Sequence, residues 1–150
     1  MSWTARAVPC PNGWLACHEW FAPDRAVLCF DAFRPETGRR ALGCYSLIDG
    51  KMRLHLRAQD SPERHLQSSS RGTYFIGEGH WPQNPCLSRL DIAADGRLVR
   101  TPLSSLGGTC HGPTRTEPNA HTPPDEREVF FQWTDSPSGA GPRLVSVEVP

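Results

Sequence analysis

The chain has 150 residues with 16 basic and 16 acidic side chains, so it carries no net charge to draw it onto nucleic acid or an anionic membrane surface. At this length a single domain, 1–150, buries roughly 68–70% of its unfolded surface and needs no staple to fold. No apolar run reaches the roughly 20 residues of a membrane span, and the first six residues lack the apolar stretch of a signal peptide, so a soluble, cytoplasmic chain with reduced thiols is expected.

Period-two runs dominate, and no long 3.6-residue periodicity competes with them. After a segment broken by Pro9 and Pro11, strands are expected at 14–21, 26–34, 39–48, 51–58, 72–81, 87–94, 97–103, 128–134 and 143–149. Three turn signals, at Pro23-Asp24, Pro35-Glu36-Thr37-Gly38 and Asp49-Gly50, fold residues 14–58 into a four-stranded antiparallel meander. A two-residue turn at Asp49-Gly50 would oppose Cys44 to His55 and Tyr45 to Leu54; with tight turns before it, His18, Cys29, Cys44 and His55 form one transverse row. One face of this meander, with Leu28, Phe30, Tyr45, Leu47, Met52, Leu54 and Leu56, is strongly apolar. The other mixes Trp20, Val27, Cys29, Phe33, Leu42 and Cys44 with Asp31, Arg53, His55 and Arg57, which is too apolar for a face turned to solvent.

Residues 59–71 read as a polar loop with room for one short helix. Asp95-Gly96 repeats the two-residue hairpin signal and would set Asp91 against Arg100. Residues 104–127 form a long Gly/Pro-rich loop, expected to share a functional mouth with 59–71 and to tolerate deletion of 113–124 with little loss of stability. The fold class expected is all-β: a single-domain antiparallel up-and-down barrel or a sandwich of about 8–9 strands, because both solutions deal with exposed strand edges. Asn12-Gly13-Trp14, at the start of the first strand, resembles the Gly-x-Trp signature of lipocalin-like barrels, which implies the same barrel in outline.

No catalytic or cofactor motif accompanies this architecture. The six cysteines contain no C-x-x-C pair, so no cofactor and no structural metal are expected; Cys29, Cys44 and His55 are the ligand candidates for a metal reading. Glu78 and His80 lie two apart on one strand and suit an acid/base pair, and Cys110-His111 sits on a glycine-rich turn that would expose a thiol. For ligand binding the candidates are Tyr74, Trp81, Trp20, Arg53 and Arg57, aromatics and cations of the sort that line small-molecule cavities. The expected function is binding of a small hydrophobic or aromatic ligand, with cofactor-free chemistry on it as the enzymatic version. A protein-binding module of inhibitor, immunity or effector type is the alternative partner class, and a Cys/His metal protein the third.

Overall fold

The computed structural model describes residues 7–23, 26–59, 61, 63–79, 86–105, 119–133 and 143–150. Ten strands and no helix occur among them: β1 (Leu15–Phe21), β2 (Val27–Arg34), β3 (Arg39–Ser46), β4 (Met52–Leu56), β5 (Glu63–Ser68), β6 (Phe75–Gly79), β7 (Cys86–Ile92), β8 (Leu98–Ser105), β9 (Glu128–Trp133) and β10 (Arg143–Glu148). All pairings are antiparallel, and the strands form three sheets, β1-β2-β3-β4, β5-β6-β7-β8 and β9-β10.

The all-β expectation holds, and the closed barrel does not. A barrel requires β4 to hydrogen-bond to β5, whereas here each meander ends at four strands and the chain crosses to start a new sheet. Gly13-Trp14 accordingly opens a blade-like meander, where Trp14 packs on Phe30, Ala32 and Ala41 instead of closing a barrel. The sheets stack face to face. Ala22, Cys29 and Leu42 of the first pack on Leu66, Phe75, Leu90 and Leu98 of the second, with Trp20, Val27 and Cys44 at the margin. The mixed face of the first meander is therefore an internal face. A second cluster, with Tyr74, Ile76, Leu87, Ala120, Val129 and Phe131, joins the second sheet to β9 and β10. Each fully buried leucine in these layers contributes about 1.5–3 kcal/mol.

Residues 59–71 are not simply a loop: β5 is the strand of the second sheet that packs on β1 and β2. Its sequence, Glu-Arg-His-Leu-Gln-Ser, hid it because one of its inward residues, Glu63, is a charge neutralised by other strands. Turn chemistry also differs from expectation. Gly50 has φ of +68°, but Asp49 does not enter the left-handed region, so a type I′ turn is not formed. Ser46 instead pairs with Lys51 around a four-residue loop, and Cys44 opposes Arg53 while His55 opposes Leu42. The offset is two residues, which keeps Cys44 and His55 on one face. A similar offset at the first hairpin opposes Trp20 to Cys29, so the transverse row is Trp20, Cys29, Cys44, Arg53. At Asp95-Gly96 the loop has three residues, Ala94 to Gly96, and the one-residue slip puts Arg100 opposite Leu90 and separates it from Asp91.

The described end of the 104–127 segment is structural as well. Ala120 is fully buried, His121 bridges to Phe130, and Thr122 and Pro123 accept hydrogen bonds from Ser70. A deletion reaching residue 124 would remove these ties, so this part is not dispensable.

Candidate functional site

The first strands of the two meanders share an irregularity. In β1 the register shifts between Cys17 and Glu19, and in β5 between Glu63 and His65, leaving His18 and Arg64 as bulged residues. A bulge re-aims a side chain. His18 does so at φ of +52°, a left-handed conformation that costs a non-glycine residue roughly 1 kcal/mol and that its surroundings must maintain. Its Nδ1 donates to Asp31 Oδ2 at 3.3 Å, and His65 Nδ1 donates to Glu78 Oε2 at 3.3 Å. In both pairs a histidine on the first strand of a meander meets a buried carboxylate on the second strand. The two rings meet edge to face with centroids 4.9 Å apart.

Beneath the rings lies a buried polar network. Asp31 accepts Arg57 and the Leu66 amide, the latter at 3.2 Å, while Arg57 Nη1 donates to the Glu63 carbonyl at 2.7 Å. Glu63 accepts Arg100 Nε at 2.6 Å and the Ser61 hydroxyl. Burial pushes the Asp31 carboxyl above its usual range despite the facing Arg57 guanidinium. Burial acts the same way on Glu63, but hydrogen bonds from Ser61, Ser88 and Arg100 outweigh it and hold that carboxyl below its usual range. The second carboxylate, Glu78, also accepts the Ala120 amide at 2.6 Å, which ties the end of the 104–127 segment to the histidine pair.

Between the first and second sheets lies a cleft of about 350 Å³, with Ala22, Val27, Phe75 and Ile92 as apolar wall and Lys51, Arg53 and His55 as polar tips. Cys29 and Cys44 line it with sulfurs 3.9 Å apart. His55 Nδ1 donates to the Gly96 carbonyl at 2.8 Å, an inter-sheet tie. No three His, Cys, Asp or Glu side chains converge as a metal site among the described residues, so Cys29, Cys44 and His55 do not form a ligand set.

Of the ligand-binding candidates, Arg53 lines this cleft. Trp20 turns its Nε1–H to Ser68 Oγ at 2.7 Å and helps join the sheets. Arg57 is engaged by Asp31 and the Glu63 carbonyl. Tyr74 belongs to the second core cluster, with Arg89 over its ring at 4.6 Å; burial, and next the Glu126 charge, push its phenol up to about 12. Glu78 is paired with His65, and its predicted partner His80, with Trp81, Cys110 and His111, lies outside the described residues. Asp31 and His65 escaped sequence reasoning as site residues, because their partners are 13 positions away and no spacing rule links them.

Successive four-stranded meanders stacked face to face, each with its first strand carrying the irregular, histidine-linked positions, define a β-propeller-like all-β protein. No protein family and no curated protein matches the sequence. Solved structures do match the fold. An oligogalacturonate lyase from Vibrio parahaemolyticus superposes with a TM-score of 0.77 over 97% of this chain at 18% identity. An oligogalacturonate lyase in complex with manganese gives 0.76 over 97% at 19% identity. The chain spans 39% and 38% of those two proteins' lengths.

Proposed function

We propose that this protein binds a small hydroxyl- or carboxylate-bearing ligand at the His18–His65 pair, with His18 as proton acceptor. The supporting observation is the paired His–carboxylate geometry. A carboxylate at Nδ1 holds the proton on that nitrogen and leaves Nε2 as the basic position. His18 is half exposed at 50%, while Asp31 behind it is 1% exposed, so the acceptor is presented outward from a fixed base. A positioned imidazole backed by a buried carboxylate is the arrangement that general-base chemistry uses. The substrate in the neighbours' names, an oligogalacturonate, carries both hydroxyl and carboxylate groups and is the first ligand to try.

The test is titration calorimetry with digalacturonate. Saturable binding that weakens about tenfold in His18→Ala and in Asp31→Asn, the loss of about one hydrogen bond, supports the reading. Absence of binding, or variants that bind like the parent with native circular dichroism, overturns it. A second reading, a small aromatic or apolar ligand, is favoured by the inter-sheet cleft, whose apolar wall meets the Arg53 guanidinium while Lys51 is paired with Asp49 at 3.2 Å, an arrangement that suits an aromatic acid. Benzoate binding lost in Arg53→Gln and retained in His18→Ala would select it.

A further inference from the structure

A separate cleft of about 150 Å³ opens where the start of β3, the end of β4 and the bulge of β5 meet. Four arginines line it, Arg39, Arg40, Arg57 and Arg64, with Ser61 and Gln59 and with no described carboxylate in its wall. Like charges do not gather in a partly desolvated cleft without compensation. Arg57 has its counter-ion, Asp31, and that carboxylate also serves Leu66 and His18. Arg39, Arg40 and Arg64 make no ion pair among the described residues. Nε of Arg40 and Nε of Arg57 are buried and make no hydrogen bond. Burial first, and then the charges of Arg64 and Arg57, lower the proton affinity of Arg40. The Arg40 guanidinium stacks 5.0 Å from the Phe33 ring centroid, so it is held in place with its donors unengaged.

We propose that this cleft is an oxyanion site that takes a phosphate group, either inorganic phosphate or the phosphate of a small monoester. Arg40 and Arg64 bring guanidiniums from two sheets to the cleft beside Arg57, without a counter-ion of their own among the described residues, while Arg39, the neighbour of Arg40 on β3, leaves the strand on the opposite face. Such a pair of cations is best balanced by a doubly charged group, which a lone carboxylate is not. Donors arriving from three elements also suit a tetrahedral oxyanion better than a planar one. The volume admits the phosphate and little beyond it, so the remainder of a monoester would lie outside. The bulge at Arg64 in β5 thereby gains a purpose, since a regular strand would not set it aside from the Glu63–His65 pairing with β6.

Calorimetric titration with inorganic phosphate at constant ionic strength, with acetate and glucose 6-phosphate as parallel arms, tests the proposal. Saturable phosphate binding is expected, about tenfold weaker in Arg64→Gln and in Arg40→Gln, each the loss of about one charged hydrogen bond, with acetate weaker still. Arg64 is exposed and outside the core, so its variant reports on binding even if Arg40→Gln fails to fold. Arg97→Gln, a solvent-exposed control, should bind as the parent does. Tighter binding of glucose 6-phosphate than of phosphate assigns the site to monoesters; equal binding assigns it to the free ion. No saturable phosphate binding, or equal affinity in Arg64→Gln and the parent, overturns the proposal. His18→Ala should leave phosphate binding unchanged, which separates this site from the histidine pair.

Discussion

Arg57, just past the end of β4, donates to Asp31 on β2 across the whole width of β3, and both side chains are 1% exposed. The pair is the hinge between the two sheets, since Asp31 also holds the Leu66 amide of β5 and Arg57 the Glu63 carbonyl. Removing one partner leaves a buried charge uncompensated. Arg57→Met should cost about 3–5 kcal/mol in urea unfolding, whereas Arg57→Met with Asp31→Leu should cost clearly less than the sum of the single variants. Additive losses would mean that the two side chains do not act as a pair.

Gly43, between β2 and β4, has no room for a side chain. A Cβ there would lie 2.2 Å from the ring of Phe30, which is itself 2% exposed. Gly43→Ala should destabilise by about 1–3 kcal/mol, and Phe30→Leu in the same chain should recover part of the loss despite costing stability alone. A neutral Gly43→Ala in thermal melts would contradict this packing.

Glu126 fastens the β5–β6 turn, accepting the Arg71 amide at 2.6 Å and the Thr73 hydroxyl. Burial raises its carboxyl, but hydrogen bonds from Thr73, Ser69 and Arg71 prevail and hold it below the usual 4.5. With the folded value depressed, its stabilisation is fully present above the unfolded value and is lost as pH falls through the folded one. Melting temperatures of the parent and Glu126→Gln should therefore differ at neutral pH and converge below pH 4.5. A constant difference across that window would show that the carboxylate charge is not involved.

Chelation should leave the thermal midpoint within a few degrees. Cys29 is packed in the main core with Leu42 and Leu66, and His55 gives its Nδ1 proton to Gly96, so stability here comes from apolar layers and inter-sheet hydrogen bonds. Loss of the fold with a strong chelator would require a metal ligand set elsewhere in the chain.

The sequence by itself determined what local chemistry controls. Alternation of apolar and polar residues specified the strands that carry their own hydrophobic pattern, and β2 and β3 pair in the predicted register, Cys29 to Cys44, because the loop 35–38 fixes it. The all-β class and the internal character of the Trp20, Cys29, Cys44 face were legible for the same reason. Tertiary structure decided the remainder. Whether four strands close on themselves or stop and stack depends on which apolar face finds a partner, and turn signals carry no information about that. β5 is polar because Arg100 of β8 and Glu78 of β6 meet its Glu63 and His65 side chains, so its pattern contains half of an arrangement completed elsewhere. The histidine pair arises likewise: two bulges in separate sheets bring residues 18 and 65 to 4.9 Å, a distance set by how the sheets stack and by no spacing within either strand.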